Sequence, residues 1–339
     1  MNQTLNGIRR ILITILVAMG VGALFIIAIG ENPIDAYAAL FRGAFDGKLR
    51  LGTTLAGFTP LLLTSIAFAV AAKAGAFNVG VEGEVFLGGI TAAYIGINWT
   101  FLPKPALYVA CFVGAMVVAA AWAFIPAVLR AYYNVNEVCT TILMNTVALY
   151  ITSYLVSGPM SAGTANAQSL PVTVRLYQFM KPSSVNVGIF IAAITVIVII
   201  FMLQKSSWGY KIRTVGLNPT HADYVGIDSK KVFVGAMMLS GMLGGMAGCI
   251  EVLGVHGYFL NNFATGLGSN GMLAALIVKN NMVSTPFMAF FLAVLKSGAM
   301  GMQQSTGVPK SLVDTITAVF IIIATMETAF QFTKKRKKK

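Results

Sequence analysis

Residues 232–250 read VFVGAMMLSGMLGGMAGCI, a run without a single charged side chain. A helix that crosses the hydrocarbon of a bilayer needs about 20 mainly apolar residues, each rising ~1.5 Å. The run meets that length, and Lys230-Lys231 stand at its start. Its glycines add a second message. Gly241 and Gly245, and Gly244 and Gly248, are small residues four apart. That spacing lays a smooth face along a helix, and in lipid such faces let two backbones approach closely.

Runs of the same kind recur along the chain. Of its 339 residues, 57% are hydrophobic and 10% charged. A soluble domain has about 45–50% apolar and about 25% charged residues, so an ordinary water-soluble enzyme is excluded. Candidate spans lie at 11–30, 54–72, 79–97, 106–128, 138–157, 187–203, 232–250, 264–278, 286–301 and 312–331. The first follows Arg9-Arg10 and is longer than the about 7–15 apolar residues of a cleaved leader, so it reads as a retained span. The expected fold is an all-α polytopic membrane protein of about ten transmembrane helices, one transmembrane domain over 1–339. Ten spans divide into five plus five, and an odd-numbered unit repeated in a membrane must be inverted. Such repeats carry short or broken helices at their interface. The sequence support is Gly88-Gly89 in the third span and Gly244-Gly245 in the seventh.

Charge tests the count. Lys and Arg number 24 against 11 Asp and Glu, a formal net charge of +13. With ten spans and a cytoplasmic N-terminus, the cytoplasmic side receives Arg9, Arg10, Lys73, Arg130, Lys205, Lys211, Arg213, Lys230, Lys231, Lys279 and the basic run 334–339. Basic bias in cytoplasmic segments is the usual orientation signal. The excess is therefore expected to orient the chain, with no nucleic acid as partner, both termini cytoplasmic and 333–339 a basic tail. Two outer segments, 31–53 and 158–186, are long enough to form surface helices or loops that receive something from outside. The one substantial inner loop is 204–231.

Few motifs point to catalysis. The chain has no GxxxxGK[ST], the loop that cradles nucleotide phosphates. Its histidines are His221 and His256, and Cys111, Cys139 and Cys249 have no metal-like spacing. Gly266-Leu-Gly-Ser-Asn-Gly271 matches GxGxxG but follows no strand, so its glycines are read as a turn that starts a short helix. The segment Ala76-Phe-Asn-Val-Gly-Val-Glu-Gly-Glu84 is more distinctive. Asn78 and the carboxylates are suited to a helix N-terminus. Alternatively, Phe77, Asn78 and Glu82 line a solute pathway, since carboxylates at membrane depth face a cavity or a partner. Asn145, about two turns beyond Glu137, is either glue between helices or part of the same lining. Glu251 and His256 are expected in water near the outer end of the seventh span.

In the inner loop, Asn218-Pro219 is suited to start a short helix. That helix carries Ala222 and Tyr224 and is bounded by Gly226, and a compact helix between two spans is well suited to docking a motor protein.

Together these segments resemble the permease subunits of bacterial ABC importers in the branched-chain amino acid and simple-sugar superfamily, in particular the nucleoside-type branch that works with basic-membrane-protein-like lipoproteins. The matching pieces are FNVGVEGE (77–84), NEVCTTILMN (136–145), GYKIRTVGLNPTHADYVGI (209–227), SGMLGGMAG (240–248) and GVPKSLVDTITAVFIII (307–323). The chain departs at Val79 and Glu84, where such permeases often have Ile and Gln, and at Lys279, where Arg is common. The resemblance implies a bacterial plasma-membrane importer half with 204–231 as its coupling loop. Gly216, Asn218, Pro219, Ala222, Tyr224 and Gly226 would form the coupling helix. It also implies an ATP-binding subunit that holds ATP and Mg, a second permease subunit and a substrate-binding lipoprotein, with no cofactor on this chain. The solute expected is a nucleoside; ribose-like sugars or branched-chain amino acids are the alternative within the class. An ion-coupled secondary carrier is the alternative outside it.

Overall fold

The computed structural model describes residues 19–306 together with Pro309, Ser311, Leu312, Asp314, Thr315 and Ala318. Most of the expected last span, the tail 333–339 and the start of the first span lie outside the described residues. What is described is helical, with isolated β-bridges as its only extended pairing. The helices are α1 (Met19–Ala28), α2 (Pro33–Phe45), α3 (Gly47–Lys73), α4 (Val81–Asn98), α5 (Lys104–Tyr133), α6 (Glu137–Ser157) and α7 (Gly188–Lys205). They continue with α8 (Ser207–Leu217), α9 (Pro219–Tyr224), α10 (Ser229–Ile250), α11 (Leu267–Ile277) and α12 (Thr285–Thr306). Among the described residues, six helices are long and apolar enough to cross a membrane: α3, α5, α6, α7, α10 with its extension to His256, and α12. The bent pair α1–α2, turned by 116°, makes a seventh if it counts as one span.

The described residues form two compact units, one from 19–54 with those from 291 onward and the other from 55–290. In the first, the expected outer segment 31–53 is helical. Asn32 caps α2 by accepting from the Ile34 N–H, and Pro33 occupies the first turn, where its missing donor costs nothing. Gly43 of α2 packs on the backbone of Gly298 and Gly301 in α12, around a core of Ile26, Leu40, Ala299 and Met302.

The second unit is built around α10, which packs most closely on α5 and α4. The glycine face foreseen in 240–248 is the reason. A Cβ on Gly241 would stand 2.7 Å from the Ala119 carbonyl oxygen of α5, and one on Gly245 would overlap the Ala115 carbonyl. On the other side Gly244 meets the Glu84 side chain, Gly248 meets the Val85 carbonyl, and Gly88 meets Gly245 directly. Three helices thus approach closely along these glycines, with backbone, alanine methyls and the Glu84 side chain in contact, and α4 is buried along nearly its whole length. Helix α6 is the opposite case. Only Thr141, Ala148, Thr152 and Val156 are buried, a single stripe, and Leu143, Tyr150 and Tyr154 are exposed.

Residues 158–187 form no regular element. They are tied to the segment after α10 by N–H donations from Ser169, Val172 and Leu176 to Phe259, Gly257 and Leu253.

Candidate functional site

Helix α10 ends in a turn of π-helix, Glu251–His256. Such wide turns occur mostly as single insertions in α-helices, frequently where function is sited. The Glu251 carboxylate, expected in water, is 8% exposed and lies 3.7 Å from His256 Nε2. The π-turn directs it inward, and no residue pattern marks such a turn.

Beyond it the chain does not start a helix until Gly266. It runs back along α4, with Phe263 edge-on to Phe86 at 5.7 Å and against Gly89. Gly266 then adopts a φ of +80°, which a residue without Cβ accepts at no cost, and α11 begins. The GxGxxG string therefore marks a helix start, as read. Gly271 in the first turns of α11 lies against Thr64 of α3. Thr64 stands nine residues before the end of α3 at Lys73, about 13 Å along the axis. The contact therefore falls in the second half of α3.

The N-terminus of α4 meets the N-terminus of α11 nearby. The Glu82 carboxylate accepts from the Gly266 N–H at 3.0 Å and from the Ser269 hydroxyl at 3.2 Å. A negative group beside exposed helix N–H ends is favourably placed. A Cβ on Gly268 would stand 2.5 Å from the Glu82 nitrogen, so the two helix starts are in backbone contact. Glu82 is half-buried, and Ser269, its hydroxyl partner, is exposed.

The other expected lining residues are engaged as fasteners. Asn145 of α6 accepts from the Gly83 N–H and donates to the Val79 carbonyl, both at 2.8 Å, so it clamps the start of α4. Asn78 is buried. Its carbonyl accepts from the Gly80 N–H, and its amide donates to Glu84 Oε1 at 2.8 Å and to Ser240 Oγ at 2.9 Å. Phe77 packs edge-on to Phe68 at 5.0 Å. The structure brings Phe77, Asn78, Glu82 and Asn145 to one end of α4. Ser269 and Ser240 complete the arrangement, and sequence reasoning missed both because a lone serine carries no pattern.

The second cluster is the connector 206–228. Asn218 caps α9 by accepting from the His221 N–H at 3.0 Å, and Pro219 follows it, as the sequence indicated. Ala222 is fully buried, and Gly226 turns the chain at a φ of +79°. Asp223 accepts from the N–H and hydroxyl of Ser229, both at 2.9 Å, and so joins α9 to the start of α10. Helix α8 was not foreseen. Its signals were the Ser206 cap, accepting from the Gly209 N–H, and the spacing of buried Ile212 and Val215. At its end, a Cβ on Gly216 would overlap the Lys73 carbonyl oxygen. Leu217 and Tyr224, by contrast, are 88% and 85% exposed. The connector is therefore a rigid pair of short helices, seated on glycine and alanine, that presents large apolar side chains outward. Lys230 lies over the Tyr132 ring at 5.2 Å, and Arg130 pairs with Glu137 at 3.1 Å, so basic residues collect at these helix ends.

Comparison with known proteins places the sequence in a family. The family model described as branched-chain amino acid transport system/permease component matches residues 50–325. The chain is 33% identical over 337 residues to the guanosine ABC transporter permease protein NupP of Bacillus subtilis, which covers 97% of this chain and 96% of that one. It is 32% identical to the glucose ABC transporter permease protein TsgB13 of Haloferax volcanii, over 91% of this chain and 85% of that one. It is 30% identical to the nucleoside ABC transporter permease protein NupB of Lactococcus lactis, over 95% and 91%. A multi-pass helical chain with this match over most of its length belongs to the branched-chain amino acid transport system/permease component family.

Proposed function

We propose that this chain is the membrane subunit of an ATP-driven importer that carries nucleosides by alternating access. The observation that carries the substrate is end-to-end similarity to two permeases, one named for guanosine and one for nucleosides. The connector supports the energy source. A chain without a phosphate-binding loop takes its driving force from a separate ATP-binding subunit that holds ATP and Mg, docked on α9 beside Leu217 and Tyr224. Gly216, Asn218, Pro219, Ala222 and Gly226 hold that surface in shape. A second permease subunit of different sequence and a substrate-binding lipoprotein complete the machine.

The proposed topology has ten crossings in a bacterial plasma membrane. It adds the first span at 11–30, α4, the segment 264–278 and the span 312–331 to the six long apolar helices, with both termini cytoplasmic. The basic residues around α9 support that orientation. The close approach of α4 to α10 through Gly88 and Gly245 is compatible with an inverted five-plus-five arrangement. Solute passes the end of α4, where Glu82 meets it and Phe77, Asn78 and Asn145 form and brace the wall.

The test is uptake of labelled guanosine and ribose by membrane vesicles containing the chain and its co-purifying subunits. ATP-dependent guanosine uptake is expected, abolished by Gly216→Leu with release of the ATPase. Uptake that persists without any ATPase would make the chain an ion-coupled carrier and end this reading. The similarity to a glucose permease favours a second reading, sugar import; ribose uptake with no nucleoside response would select it.

A further inference from the structure

A cavity of about 460 Å³ lies between the second half of α4, the end of α6 and residues 159–170. That volume falls in the ~300–1,000 Å³ range of small-molecule sites, and its walls follow their usual pattern, mostly apolar with a few polar atoms. Tyr94, half exposed, offers a ring face, with Leu155 and Met160 among the apolar walls. Three polar side chains also line it. Asn98 donates its amide to the Tyr94 carbonyl at 2.9 Å, which leaves Oδ1 as an acceptor with no partner among the described residues. Thr91 donates to the Leu87 carbonyl at 2.7 Å and keeps its lone pairs. Ser161 accepts from the Gly163 N–H at 3.2 Å and keeps its hydroxyl hydrogen.

A flat ring face, two acceptors and one donor are the complement of a planar heterocycle whose edge carries N–H groups and a carbonyl. A second groove, about 480 Å³ between α5 and α7, shows the contrast. It is lined by Val109, Phe112, Val113 and Ile191 with little polar surface, which suits an acyl chain. We infer that the cavity at Tyr94 is a receiving site for the base of a nucleoside, with the base stacked on the Tyr94 ring and its edge read by Asn98, Thr91 and Ser161. This rests on the nucleoside reading and on the proposed orientation, which puts the cavity at the outer end of α4, where a delivered solute first meets the chain.

The experiment is photolabelling of the whole importer in membrane vesicles with 8-azidoguanosine, mapped by peptide mass spectrometry, alongside guanosine uptake. Label is expected on peptides containing Tyr94 or Met160, competed by guanosine and not by glucose. Tyr94→Ala should remove it and raise half-saturating guanosine about tenfold or more, the loss expected of one base–aromatic stack. Tyr94→Phe, which keeps the ring, should retain both. Because Tyr94 is half exposed, folding is not at stake, and an unchanged melting temperature of Tyr94→Ala checks this. Label elsewhere, label that guanosine does not compete, or unchanged half-saturation in Tyr94→Ala overturns the site while leaving guanosine transport standing. Absence of guanosine uptake by the wild-type importer overturns the nucleoside reading itself.

Discussion

Replacing Asn145 with alanine separates a brace from a binding group. The amide makes two hydrogen bonds of 2.8 Å to the backbone at the start of α4, accepting from Gly83 and donating to Val79. The first N–H groups of a helix have no partner within it, so the Gly83 N–H depends on Asn145. Truncation leaves that buried donor and the Val79 carbonyl unpaired, at about 1–3 kcal/mol each. Interhelical hydrogen bonds in membranes fall toward the lower end, about 0.6–1.7 kcal/mol. Together the loss is about 1–3 kcal/mol. With an unfolding entropy near 2.1 cal/mol/K per residue, this lowers the melting point of the chain by roughly 2–5 °C. Asn145→Asp keeps the acceptor and loses the donor, so it should fall between. The assay is thermal denaturation of the purified chain in detergent, followed by tryptophan fluorescence, with guanosine uptake measured in parallel. An Asn145→Ala protein that melts within about 1 °C of wild type while losing uptake would refute the reasoning, since Asn145 would then act on solute and not on α4.

Two further outcomes follow from the packing and the caps. Gly248→Leu puts a branched side chain where the Val85 carbonyl already sits, and should cost several kcal/mol and most of the folded protein, read as detergent-stable monomer by size-exclusion chromatography. Asp228 caps α10, and its carboxyl is held below the ordinary carboxylate range by the Lys231 backbone N–H and then by the Lys231 ammonium. A lowered pKa means that its contribution is complete above the unfolded value of about 3.9 and is lost as pH falls through the folded value. The melting-point difference between wild type and Asp228→Asn should therefore be constant from pH 8 to 5 and shrink only in stronger acid.

Much of this was legible in the sequence because membranes simplify the code. Apolar length marked α5, α6, α7 and α10, and small residues four apart in 240–248 marked the face on which α4 and α5 close. Asn218-Pro219 marked α9, since a cap followed by proline has one common structural meaning. Helix α2 was open to either reading because 31–53 mixes aromatic and charged residues without a clean period. The inward turn of Glu251 was hidden, since a π-turn leaves no mark in composition. At the site, sequence located the end of α4 but not the division of labour there. Only coordinates distinguish a half-buried carboxylate such as Glu82 from the inward amides of Asn78 and Asn145, because the residue types and their spacing are the same in both roles.

The contact between Gly216 and the end of α3 bears on how force moves through the chain. Side chains in a packed core deform by changing rotamer, and such a layer acts as a spring. At Gly216 there is no such layer, because backbone rests on the Lys73 carbonyl, while Ala222 is fully buried and Asp223 is tied to Ser229. Under the proposed coupling role, a load applied to α9 would meet backbone contacts at the end of α3 and a hydrogen-bonded joint at the start of α10, with little soft packing to absorb it. A methyl group added at Gly216 would overlap the Lys73 carbonyl and push α8 off the end of α3 with no partner present.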